Sequence, residues 1–135
     1  MKRLLGITVL AGALLMGSSC GGDGGSTGTG PGTLKVRLTA PAANADSAII
    51  ITITGPAALT SVTAGAGLRL FTNPAGGTTT TRYALVGLLA NGATILTIGV
   101  ADVGAVSQYQ GTVNGVAQAN YQLRAVNGYA LALTR

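Results

Sequence analysis

From residue 33 onward, apolar and polar residues alternate with period two, and Gly, Pro and Asn interrupt the alternation every few residues. A helix buries residues three and four apart, whereas a strand buries every second one, so this pattern confines the segment to β-structure. Leu34, Val36 and Leu38 alternate with Lys35, Arg37 and Thr39 and stop before Pro41, which reads as a half-buried strand. Residues 48–54 run Ala-Ile-Ile-Ile-Thr-Ile-Thr up to Gly55-Pro56. A run that short, that β-branched and apolar on both faces predicts a central strand. Weaker strands follow at 59–63 and 68–72, then a loop at 73–77.

The turns carry their own signals. Asn-Gly supplies the positive φ that both central residues of a type I′ turn require. Asn91-Gly92 therefore predicts a hairpin between 82–89 and 94–100, with Leu85 facing Ile98 and Leu88 facing Ile95. Asn114-Gly115 predicts a second, with Val113 opposite Val116. At Asn127-Gly128 strict pairing would set Arg124 against Leu131, a conflict that a bulge or a longer crossing loop would relieve. The closing run, 129–133, alternates cleanly and completes a sheet. No stretch after residue 33 carries a helical stripe with caps. Short strands at this spacing predict an all-β fold, a two-sheet antiparallel sandwich of the immunoglobulin-like kind, without the Cys and Trp hallmarks of antibody domains.

Ahead of this domain the chain reads differently. Met1-Lys2-Arg3 is a positive start, and residues 4–16 form a continuous apolar block of 13 residues. A bilayer core needs about 20 apolar residues in a helix, so the block is short for a span and suits the apolar region of a signal peptide. Gly17-Ser18-Ser19 then offers small residues for cleavage, directly before Cys20, the chain's single cysteine. Residues 21–32 are nearly all Gly, Ser and Thr, a composition that buries no face and behaves as a flexible tether.

Met16-Gly17-Ser18-Ser19-Cys20 resembles the cleavage site of bacterial lipoproteins. The resemblance implies a diacylglyceryl group on the Cys20 thiol, cleavage just before it and acylation of the new amino group. The third residue before the cysteine, usually Leu in that family, is Gly17 here. The alternative for Cys20 is a bystander beside an ordinary signal-peptidase cut. Gly21 after the cysteine, in place of Asp, is similar to the outer-membrane sorting class, which implies an outer-membrane anchor facing the periplasm or the cell surface. The chain thus divides into a signal peptide (1–19), a lipidated cysteine with its tether (20–32) and a β-sandwich (33–135).

A second resemblance covers most of the sandwich. Residues 48–63 look like the second strand and following turn of cohesin-type domains, 82–86 and 95–100 like their paired strands, and 129–133 like the closing strand. Such domains share a jelly-roll sandwich and occur in bacterial surface proteins, where some bind dockerin modules; no dockerin-contacting residue carries over.

Chemistry is sparse. The net charge of +5 includes Lys2 and Arg3. From Cys20 on, Lys35, Arg37, Arg69, Arg82, Arg124 and Arg135 stand against Asp23, Asp46 and Asp102, a net of +3 spread thinly along the chain. Nucleic-acid binding needs clustered cations, so no nucleic-acid partner is expected. With one cysteine there is no internal disulfide. There is no His and no Glu, so neither a zinc site nor a nucleophile with its His base can be built, and no cofactor or metal is expected. Asp46 and Asp102 both read as turn residues whose carboxylates bond nearby amides. Lys35 alternates into solvent.

The expected function is accordingly non-catalytic: a membrane-anchored lipoprotein whose sandwich is a structural or protein-interaction module of the cell envelope. The alternative is a carbohydrate-binding module of the cell surface. For that, Phe71 and Tyr121 are the candidate ligand contacts, because their surroundings are mixed, while Tyr109 and Tyr129 fall on apolar positions.

Overall fold

A computed structural model describes residues 28–41, 46–73 and 79–135. The signal peptide, Cys20 and the tether up to residue 27 lie outside the described residues.

Among the described residues nine strands build two antiparallel sheets packed face to face, the all-β sandwich expected from the alternation. The strands are β1 (Gly32–Thr39), β2 (Asp46–Thr54), β3 (Ser61–Ala64), β4 (Arg69–Asn73), β5 (Thr80–Val86), β6 (Thr94–Val100), β7 (Gln110–Gln118), β8 (Leu123–Arg124) and β9 (Ala130–Thr134). One sheet has the order β3-β6-β1-β9 and the other β4-β5-β2-β7-β8. A short 3₁₀ helix, Val103–Gln108, joins β6 to β7.

The core is the interdigitation of the two inner faces. Leu34, Val36 and Leu38 of β1 and Leu96, Ile98 and Val100 of β6 come from one side. Ile49, Ile51 and Ile53 of β2 and Leu85 of β5 come from the other, and all of these side chains are buried. The strand 48–54 is central, flanked by β5 and β7, but it is not enclosed on both faces, for Ile50 points outward. Among the described residues, every buried core residue lies between Leu34 and Tyr129, with Leu131 and Leu133 packed against them.

Two turn expectations change, and a third resolves as a crossing loop. The strands around Asn91-Gly92 do not pair: β5 lies in the five-stranded sheet and β6 in the four-stranded one. A turn forms over 90–93, but it is not type I′: Gly92 has φ +77° while Asn91 does not take a positive φ. Its partner is β1, through Gly92 N–H donating to the Leu38 carbonyl (2.7 Å) and Ala40 N–H donating to Asn91 Oδ1 (2.9 Å). Leu88 does not face Ile95; the crossing segment instead buries Leu89, whose N–H donates to the Asp46 carbonyl. Residues 82–86 and 95–100, likened above to a strand pair, accordingly belong to different sheets.

Asn114-Gly115 is not a turn. Strand β7 runs straight through it, and the register against β2 shifts there, with Ile50 opposite Gly115 and Ile51 opposite Val113. Asn114 is the extra residue of a bulge, and its Oδ1 accepts a hydrogen bond from the Thr52 hydroxyl. Gly115 does not adopt the positive φ that a type I′ turn demands. At Asn127-Gly128 the chain crosses between sheets, so Arg124 and Leu131 never meet, which removes the conflict in the sequence pattern.

The strand also begins slightly before residue 33, at Gly32. Gly30, expected within the tether, is fastened to the domain. Its N–H donates to Asp102 Oδ1 (2.9 Å), and its carbonyl accepts from Val103 N–H (2.9 Å).

Adjacent residues of β2 should respond oppositely to truncation. Ile51→Ala is expected to lower unfolding free energy by about 2–5 kcal/mol, the cost of a core cavity, and Ile50→Ala by less than about 1 kcal/mol. Urea unfolding of the two variants measures both, and equal losses would contradict the assignment of faces.

Candidate functional site

The two ends of the sandwich are chemically distinct. Strand β1 starts, and β6 finishes, at the end where Asp102 holds Gly30, here called the proximal end. The Asp102 carboxylate accepts from both Gly30 N–H and Gly104 N–H (2.7 Å), and these bonds, the Gly30 one foremost, hold its pKa below the ordinary carboxylate value. The turn role expected of Asp102 is therefore correct, with a long-range partner added.

Asp46 departs from expectation. It is the first residue of β2, at the distal end, and it is the buried charged residue among those described. Arg124 Nε donates to its Oδ1 at 2.7 Å, and the Tyr129 hydroxyl donates to its Oδ2. A carboxylate can stay buried only with its oxygens satisfied, and here β8 and the segment entering β9 satisfy them. Asp46 and Asp102 thus sit at opposite ends of the sandwich and form no carboxylate pair. Among the described residues, no group of three or more His, Cys, Asp or Glu comes together to hold a metal.

The outer faces of the two sheets contrast more sharply. On the four-stranded sheet the outward residues are Thr33, Lys35, Arg37 and Thr39 of β1, Thr63 of β3, and Ala130, Ala132 and Thr134 of β9. On the five-stranded sheet the register aligns Phe71, Ala84, Ile50 and Gly115 in one row across β4, β5, β2 and β7. The next row toward the distal end aligns Arg69, Val86, Ala48, Ala117 and Leu123. Phe71 is 56% exposed, Leu123 84%, Ile50 43% and Val86 42%. These are large apolar side chains left in water side by side, whereas no exposed large apolar residue belongs to β1, β3, β6 or β9. Shallow hollows flank Ile50, one lined by Ala48, Ala117 and Leu123 and the other by Phe71, Arg82 and Ala84. Toward the proximal end the same face turns polar through Thr52, Thr54, Thr80 and Arg82.

Phe71 and Tyr121, the candidate ligand contacts, are both exposed, but the fold does not bring them together. Phe71 lies on edge strand β4, and Tyr121 lies in the turn before β8 at the opposite edge. Four strand spacings separate those edges, about 19 Å. They cannot act as one aromatic platform, and Phe71 instead belongs to the apolar patch with Ile50, Val86 and Leu123. Those three were not legible as exposed: Ile50 sits in a run apolar on both faces, Val86 in a strand whose sheet partners the sequence misassigned, and the side of Leu123 follows the β7 register beyond the Asn114 bulge. Tyr121, 92% exposed, has φ +66°, a left-handed conformation normally left to Gly or Asn. Its N–H donates to the Gln118 carbonyl, closing the turn between β7 and β8.

Compared with known proteins, the chain matches no family model, no curated protein and no solved structure.

Two predictions follow from these geometries. Burial, then the bond to the Asp46 carboxylate, raises the Tyr129 pKa to about 12, and burial also raises that of Tyr83. Unfolded tyrosine ionises near pH 10, so the folded chain keeps protons that the unfolded chain releases. The stabilisation is complete below about pH 10 and is lost as pH rises through 12. Chemical denaturation across that range should show the fall, and Tyr129→Phe should shrink it; an unchanged fall in that variant would contradict the Tyr129 assignment. Separately, Tyr121→Gly relieves a left-handed residue that has almost no packing, and a gain of about 0.5–1 kcal/mol is expected in the same assay.

Proposed function

We propose that this chain is a lipid-anchored protein of the bacterial cell envelope whose sandwich is a non-catalytic structural or interaction module. Its working surface is the outer face of the five-stranded sheet. The observation that carries the reading is the contrast between the two outer faces. One is threonine-lined with Lys35 and Arg37, and the other leaves Phe71, Ile50, Val86 and Leu123 in water. Monomeric domains rarely expose contiguous apolar patches without an interaction to make, and both faces derive from one short chain, so a general excess of apolar residues does not explain it.

The anchor rests on the order of features at the N-terminus: a basic start, a 13-residue apolar block, small residues and Cys20. Two or three acyl chains hold a protein at a bilayer where one binds only reversibly. The Asp102–Gly30 bonds are consistent with this arrangement, because they set the point at which the tether enters the domain. An outer-membrane location follows the resemblance at Gly21. The cohesin-type likeness draws on the two packed antiparallel sheets alone, since residues 82–86 and 95–100 lie in different sheets.

Expression of the full chain in a lipoprotein-competent bacterium, followed by intact-mass measurement, tests the anchor. The expected mature species starts at Cys20 and carries diacylglyceryl and acyl mass, both absent from Cys20→Ala. An unmodified chain cut elsewhere would mean that Gly17 blocks processing, and the domain would be a free secreted one.

A further inference from the structure

We infer that the apolar face of the five-stranded sheet docks on an anionic lipid surface, the headgroup layer of the leaflet that holds the anchor. The inference rests on the lipid-anchored reading, which keeps the domain beside such a surface.

Charge selects this occupant. Arg69 is in the distal apolar row, two residues from Phe71 on the same strand, and Arg82 lines the hollow beside Phe71. Both are exposed, and the buried ion pair of Arg124 with Asp46 involves neither. Among the described residues the face has no carboxylate side chain to oppose them. Asp46 is buried in its own ion pair, and Asp102 is committed to two backbone N–H groups at the proximal end. A second copy laid on this face would therefore bring arginines toward arginines with no acid between them. An anionic leaflet meets both features together: phosphates take the guanidinium groups, and the interfacial zone takes Phe71 and Leu123.

Reach permits the contact. Ten residues separate Cys20 from Gly30, a contour of at most about 35 Å. An eight-residue strand such as β1 covers about 26 Å. The domain can therefore lie along its five-stranded sheet while its proximal end stays tethered.

The test uses the chain from residue 20 onward carrying Cys20→Ala, which contains every core residue. It is sedimented with vesicles of equal phosphatidylglycerol and phosphatidylcholine, and with phosphatidylcholine alone. Binding is expected only to the anionic vesicles, and it should weaken as salt is raised. Arg69→Gln with Arg82→Gln should weaken it roughly thirtyfold, given about a fivefold contribution per cation near an anionic surface. Phe71→Ala should also weaken it severalfold, whereas Lys35→Gln with Arg37→Gln, on the opposite sheet, should change it less than about twofold. Thermal melts of the variants, all at exposed positions, confirm that the fold is kept. Equal binding to neutral vesicles, equal losses from the two charge pairs, or binding to polyglutamate with none to vesicles would each overturn the inference. Because the protein tested is unacylated, this result and the intact-mass result fail independently.

Discussion

The structure depends on one apolar seam. Leu34, Val36 and Leu38 come down from the four-stranded sheet and meet Ile49, Ile51 and Ile53 rising from the five-stranded one. With a single cysteine outside the described residues, no disulfide braces this small domain, and burial must supply the cohesion. Leu89 is drawn into the core where the chain crosses between sheets. Tyr83, Tyr109 and Tyr129 are buried as well, which leaves Phe71 and Tyr121 as the aromatics in water. The seam also explains the asymmetry outside: β1 spends its outward positions on Thr, Lys and Arg, while β2 and β5 place Ala48, Ile50, Ala84 and Val86 there.

Much of this fold was legible in the sequence because period-two alternation reports directly on burial. The strands at 34–39, 48–54 and 129–133 could be read from it, as could the solvent position of Lys35; the exposure of Phe71 was legible from its mixed surroundings. Connections were the illegible part. Asn-Gly reports a local demand for positive φ but not the sheet to which the chain then goes. At Asn91-Gly92 only half of that demand is met, by Gly92 and not by Asn91, and the pairing partner is β1 rather than β5. At Asn114-Gly115 even the local demand is absent, and the extra residue becomes a bulge that rotates the rest of β7 by one position.

The site was partly hidden for the same reason. Asp46 carries no local mark of burial. Its partners Arg124 and Tyr129 lie about eighty residues away in sequence, and only the completed sandwich places them against it. The apolar face is likewise a product of register. Phe71, Ile50 and Leu123 come from three strands widely separated in sequence and become neighbours only once β4, β5, β2, β7 and β8 are aligned. Composition alone, rich in Thr and Ala, would have described both outer faces as similar.

The central claim is that these two faces differ in what they touch on the anchored protein. The most direct measurement places a photo-crosslinking residue at Phe71, or at Thr63 on the opposite sheet, in the full chain expressed in a bacterium. Light should yield lipid adducts from position 71 and few from position 63. Equal adduct yields from the two positions, or adducts confined to position 63, would contradict the account.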